Sequence, residues 1–174
     1  FTLTSGGCTS SVPVTVNPIA GITGASSVCT GATTTLGDAS PGGTWTSSNT
    51  GLATVGATTG IVTGVAFGTP NITYTVTGGC FVTTPIAVYT QPAGINGAGA
   101  VCGGTVPTTI TLTDATSGGN WSSSNTSLAT VGSTSGTVTG VATGTPTISY
   151  IMTGGCFSTA TVTINAVAAI SGLP

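Results

Sequence analysis

Two residue types in this chain stand out for the chemistry they could do. Five cysteines, Cys8, Cys29, Cys80, Cys102 and Cys156, can form disulfides. Two carboxylates, Asp38 and Asp114, are the only charged side chains. Their spacing is regular. Cys80 and Cys156 are 76 positions apart, as are Asp38 and Asp114, and Cys29 and Cys102 are 73 apart. The carboxylates are candidates for calcium, but a calcium ion takes about 6 to 8 oxygen ligands. One carboxylate per repeat therefore fits turn capping better, with the Asp side chain accepting a backbone N–H two residues on.

The missing residue types exclude more than the present ones permit. The 174 residues include no Lys, Arg, His or Glu, and charged residues make up 1%, against about 25% in an ordinary soluble domain. Without cations nothing neutralises phosphates, so nucleic-acid binding is excluded. Without His or Glu there is no general acid–base pair and no Ser/His/Asp or Cys/His nucleophile. Isopeptide cross-links need a Lys amine. The expectation is a protein that is not an enzyme, holds no metal and binds no cofactor. No apolar run reaches the roughly 20 residues needed to span a bilayer, so membrane insertion is not expected.

The elements that must position these residues are read from a repeat. Gly43-Thr-Trp-Thr-Ser-Ser-Asn-Thr50 recurs as Gly119-Asn-Trp-Ser-Ser-Ser-Asn-Thr126. Leu52-Ala-Thr-Val-Gly56, Val62-Thr-Gly-Val-Ala66 and Thr77-Gly-Gly-Cys-Phe81 recur 76 positions later. The change of offset from 73 to 76 places three extra residues between Cys102 and Leu112. Two whole copies are expected, 18–92 and 93–167. Residues 1–17 read as the terminal strands of a preceding repeat, or as a donated hairpin. Residues 168–174 read as the start of a following repeat.

Across the whole chain, 41 Thr, 18 Ser and 29 Gly dominate the composition. Thr, Val, Ile and Tyr favour strands, and Gly, Asn and Pro punctuate them. Short strands at this spacing predict an all-β sandwich of about seven strands. For copy one they are placed near 19–28, 32–38, 43–48, 52–56, 61–65, 71–77 and 81–90. The expected core is Leu36, Trp45, Leu52, Val55, Val62, Val65, Ile72, Tyr74 and Val76. Its counterpart is Leu112, Trp121, Leu128, Val131, Val138, Val141, Ile148 and Tyr150. Copy-to-copy changes at Ile61/Thr137 and Phe67/Thr143 mark exposed positions.

The run from Leu36 through Trp-Thr-Ser-Ser-Asn, Leu52-Ala-Thr-Val, Gly60-Ile-Val-Thr-Gly-Val and Gly68-Thr-Pro-Asn-Ile-Thr-Tyr74 resembles the bacterial Ig-like domain group 2 (BIG2). The Val-Cys-x-Gly and Gly-Gly-Cys additions resemble long Ig-like arrays on Bacteroidota surface proteins. The resemblance implies tandem Ig-like β-sandwich domains arranged end to end, with an extracellular stalk or adhesin role and no catalytic residues.

In such a sandwich the second and sixth strands run parallel. Cys29 precedes the second and Cys80 follows the sixth, so they fall at opposite ends. Cys29 is seven residues from Leu36, roughly 23 Å along a strand, and a disulfide needs Cα atoms about 4.4 to 6.8 Å apart. The favoured pairing is therefore Cys29–Cys156 between repeats, with Cys8, Cys80 and Cys102 joined to flanking repeats or subunits. The alternative pairs Cys29–Cys80 and Cys102–Cys156 within repeats, and free thiols remain a third reading.

Trp45 and Trp121 read as core, the alternative being sugar-stacking platforms. Thr-rich strand faces could present a glycan- or surface-binding face. Asn71, Asn120 and Asn125 begin glycosylation sequons that in a bacterial chain arise mostly by chance. The function expected is a structural segment of a secreted, bacterial cell-surface filament or adhesin stalk that associates with copies of itself. The alternative is a glycan- or surface-binding module.

Overall fold

The computed structural model describes residues 3–5, 8–10, 18–104 and 108–167. The described residues contain strands and turns and no helix. A hairpin comes first: β1 (Leu3–Ser5) and β2 (Cys8–Ser10) pair antiparallel, Ser5 opposite Cys8. Residues 11–17 and 168–174 lie outside the described residues. So do 105–107, which fall in the segment with the three extra positions.

The first repeat contains β3 (Thr23–Gly24), β4 (Ser27–Cys29), β5 (Thr33–Gly37), β6 (Thr44–Ser47), β7 (Ala53–Val55), β8 (Ile61–Gly64), β9 (Asn71–Thr75), β10 (Phe81–Pro85) and β11 (Ala87–Tyr89). One sheet has the order β3-β5-β8-β7 and the facing sheet β10-β9-β6. These are the ABED and CFG sheets of a constant-type Ig-like sandwich. The second repeat follows the same plan with β12 (Ala100–Gly103), β13 (Thr109–Thr111), β14 (Asn120–Ser123), β15 (Ala129–Val131), β16 (Thr137–Gly140), β17 (Thr147–Ile151), β18 (Phe157–Thr161) and β19 (Thr163–Ala166). Its sheets are β13-β16-β15 and β14-β17-β18. The counterpart of β3 is a single bridge, Asn96 to Thr113.

The first and last strands differ from expectation, because each is broken in two. Gly24 adopts φ +124°, after which β4 leaves the β3-β5 ladder and pairs parallel with β11. The last strand breaks after Pro85 in the first repeat and after Thr161, its counterpart, in the second. Ile86 then donates to Pro70 O at 3.0 Å. The parallel β4-β11 and β12-β19 pairs close one side of each sandwich. They also carry Cys29 and Cys102 to the end of their repeats.

Each sandwich has its own core. In the first, Leu36, Trp45, Val62, Ile72 and Tyr74 are buried, and Val55 and Val76 pack against them partly covered. In the second, Leu112, Trp121, Val138, Ile148 and Tyr150 are buried, with Val131 partly covered. Leu52 and Leu128 are half-buried and lie over Gly68 and Gly144. Val65 and Val141 are a correction to the expected core, at 50% and 43% exposed. Side chains alternate along a strand, so with Val62 inward the next inward residue is Gly64, and Val65 falls outside. Ile86, Val88, Val162 and Ile164 complete the cores.

A cross-strand aromatic pair organises each core. Trp45 sits opposite Tyr74 in register, with ring centroids 4.6 Å apart. Trp121 and Tyr150 repeat this at 4.7 Å. The Tyr74 hydroxyl donates to Ser40 O at 2.7 Å and accepts from Gly43 N at 2.9 Å. A Cβ on Gly43 would overlap the Tyr74 ring, which is why glycine starts the Gly-x-Trp motif.

Candidate functional site

The residues with distinctive chemistry meet at the junction between the two repeats. On the first repeat, Cys29 ends β4 opposite Tyr89. This edge is held by Thr30 N donating to Tyr89 O at 2.8 Å and Gln91 N donating to Thr30 Oγ1 at 2.9 Å. On the second repeat, Cys156 closes the turn between β17 and β18. That turn needs positive φ at Gly154 and Gly155, +88° and +83°, which glycine adopts without steric cost. Met152 N donates to Cys156 O at 2.8 Å across it.

Cys29 and Cys156 are disulfide-bonded, with Cα atoms 5.9 Å apart. Cys156 is buried, at 1% exposed. Two further contacts surround the bond. The Tyr89 ring lies flat against Gly154, where a Cβ would run into the ring. Gln91 Nε2 donates to Phe157 O at 2.6 Å. The junction thus combines a covalent bond, an aromatic ring on a bare backbone and a side-chain hydrogen bond. In the chain-entropy treatment, closing a loop of this length contributes about 5 kcal/mol, the two cysteines being 127 positions apart.

The other cysteines are placed differently. Cys80, in the equivalent turn of the first repeat, is an exposed free thiol, and Cys102, the counterpart of Cys29, is a half-buried free thiol. The within-repeat pairs Cys29–Cys80 and Cys102–Cys156 are therefore not formed. Cys8 lies on β2, and its side chain is outside the described residues.

Asp38 and Asp114 each cap their own turn. Asp38 Oδ1 accepts from Ser40 N at 2.7 Å, and Asp114 Oδ1 accepts from Thr116 N at 2.8 Å. Asp114 Oδ2 also accepts from Ser158 Oγ at 3.0 Å. The counterpart of Ser158 is Val82, and Asp38 Oδ2 is buried with no partner among the described residues. Each carboxylate stands alone in its repeat, and no group of three His, Cys, Asp or Glu converges among the described residues. Trp45 and Trp121 are 6% and 7% exposed and present no face for stacking a sugar.

Tyr89 and Gln91 are junction residues that sequence reasoning missed. Position 165, the counterpart of Tyr89, is Asn, and that departure from the repeat was the available signal.

No protein-family profile matches the chain, and no curated protein matches it in sequence. Among solved structures it resembles the C-terminal 282-residue fragment of intimin, in complex with the intimin-binding domain of the translocated intimin receptor. That match has 20% identity, a TM-score of 0.52 and covers 86% of this chain. It also resembles domains 4 and 5 of the S-layer protein SbsC (25% identity, TM-score 0.35, covering 78% of this chain and 82% of that one). Murine CEACAM1b is matched at 10% identity and TM-score 0.38, over 84% of this chain and 100% of that one. The chain spans 65% of the intimin fragment's length. The likeness to intimin shows the fold: an all-β chain of tandem Ig-like sandwiches.

Proposed function

We propose that this chain is a non-enzymatic structural segment of an extracellular filament or adhesin stalk, built from Ig-like repeats stacked end to end. The observation that carries this reading is the junction, where Cys29–Cys156, Tyr89 on Gly154 and Gln91 on Phe157 fix one repeat to the next. Residues 18–92 and 93–167 are the repeat units. The motif resemblance to BIG2 domains supports a location on a bacterial cell surface, as does the disulfide, since disulfides persist in oxidising compartments. With almost no charge to hold surfaces apart, association with copies of itself is favoured. Antibody to the folded chain is expected to label unpermeabilised producing cells. Labelling only after lysis would overturn the reading.

One observation favours a second reading, a glycan- or surface-binding module. Thr46, Thr73 and Thr83 align across β6, β9 and β10, with the Thr73 and Thr83 hydroxyl oxygens 3.1 Å apart. Retention of the chain on a glycan array or on ice, lost on Thr73→Val, would support it.

A further inference from the structure

The turn Thr-Gly-Gly-Cys-Phe occurs twice in the described repeats, in two different states. In the second repeat it is covered: Tyr89 lies on Gly154, and Cys156 is buried and bonded to Cys29. In the first repeat no described residue covers it. A Cβ on Gly78 would meet nothing within 4 Å among the described residues, and Cys80 is an exposed thiol. Beside it opens a groove of about 710 Å³ whose apolar lining includes Pro18, Ile19, Pro41 and Val76. At the opposite end of the chain is the complementary half. Cys102 stands on β12 opposite Asn165, the same register as Cys29 opposite Tyr89. Val141 and Val167 are exposed beside it, at 43% and 56%. Neither end carries a cation or a cluster of carboxylates, so no charge opposes their approach.

We propose that the Cys80 groove receives the Cys102 end of a second copy of this chain, repeating between molecules the cysteine pairing of the internal junction with Asn165 and Val167 in place of Tyr89 and Gln91, and that the two thiols become a disulfide. This rests on the stalk reading above and adds to it the partner, the surface and the bond. The oxidant is a small-molecule disulfide or a disulfide-carrying oxidoreductase. The Cys80 thiolate attacks one of its sulfurs and expels a thiolate. The docked Cys102 thiolate then attacks the Cys80 sulfur and expels the second. Two protein thiols are oxidised, one disulfide is reduced to two thiols, and the two protein protons pass to the departing thiolates.

The test uses the full chain with Cys8→Ala throughout, oxidised by glutathione disulfide. Chains carrying Cys80→Ala and chains carrying Cys102→Ala are each incubated alone and then mixed. The mixture is expected to form a Cys80–Cys102 dimer about tenfold faster than either chain forms its own dimer, because docking raises the local thiol concentration. Peptide mapping identifies the bond. Thr77→Trp on the Cys80-bearing chain, which fills the groove, is expected to abolish the advantage while Cys80 still reacts normally with a small alkylating reagent. Equal dimerisation rates in all arms, no dimer in the mixture, or an unchanged rate with Thr77→Trp would each overturn the proposal. Surface labelling of cells is independent of these outcomes, so the stalk reading stands or falls separately.

Discussion

At Gly43 and Gly119, a hydrogen in place of a side chain decides whether a repeat closes. Each backbone N–H donates to the hydroxyl of the core tyrosine, Tyr74 or Tyr150, and each Cα faces that ring. Gly43→Ala is expected to destabilise the first repeat by about 1–3 kcal/mol, the usual cost of forcing extra volume into a packed core. Chemical denaturation followed by Trp fluorescence would check it, with Thr44→Ala, exposed on the same strand, as the neutral control. Ser158→Ala removes the only donor to Asp114 Oδ2 among the described residues and is expected to cost about 1 kcal/mol. A denaturation midpoint equal to that of the unsubstituted chain would show that solvent replaces the hydroxyl. Trp45, Val62 and Ile72 are legible as core from sequence, because large apolar residues alternate with Thr there. Val65 is not, since the inward position beside it is filled by Gly64, which has no side chain to reveal the phase.

At the scale of elements, the turn before Cys156 and the turn before Cys80 form a natural experiment. They have the same sequence from Thr to Phe. Both need positive φ, at +88° for Gly154 and +103° for Gly78. Gly154→Ala and Gly78→Ala should therefore impose a similar backbone strain of about 1 kcal/mol. Only Gly154→Ala displaces the Tyr89 ring. During refolding in a glutathione buffer, Gly154→Ala is expected to lower the fraction of chains with Cys29–Cys156 closed, and Gly78→Ala to leave it unchanged. Equal fractions would mean that the ring does not align the thiols. The seven strand positions of a repeat are legible in the sequence, and their arrangement in two sheets only through the Ig-like resemblance. The breaks in the first and last strands are not, because Gly24 and Pro85 read as ordinary strand ends until the parallel β4-β11 pair shows where the chain goes next.

At the scale of the molecule, the missing charge has a measurable signature. The chain has no His, the side chain that ordinarily changes charge between about pH 5 and 8, so little side-chain proton exchange accompanies folding across that range. The stability slope with pH is then flat. With two carboxylates and no cations there are also no ion pairs for salt to screen. The melting temperature is expected to stay within a degree or two between about pH 5.5 and 7.5, at any salt from low to about 1 M sodium chloride. A marked dependence on either would mean that the two carboxylates do more than cap turns. The composition makes this legible without a structure. The clamped junction is less so: its two cysteines are visible in the repeat pattern, whereas Tyr89 and Gln91 gain meaning only once the second repeat is seen against them.

The disulfide also decides which part of the chain feels a pull. If the two ends are drawn apart, tension runs along the polypeptide to Cys29, crosses the bond to Cys156 and continues to the far end. The residues between, including β5 to β17, form a side loop outside the line of tension. Both Trp-Tyr cores belong to that loop. With the cysteines 127 positions apart, about 400 Å of contour length is withheld. In a single-molecule stretching experiment the oxidised chain is expected to extend by that much less than the same chain after reduction. Full extension without a reductant would overturn this. Most of each sandwich is left slack in this way, while β3 and β4 of the first repeat and β18 and β19 of the second stay on the line of tension.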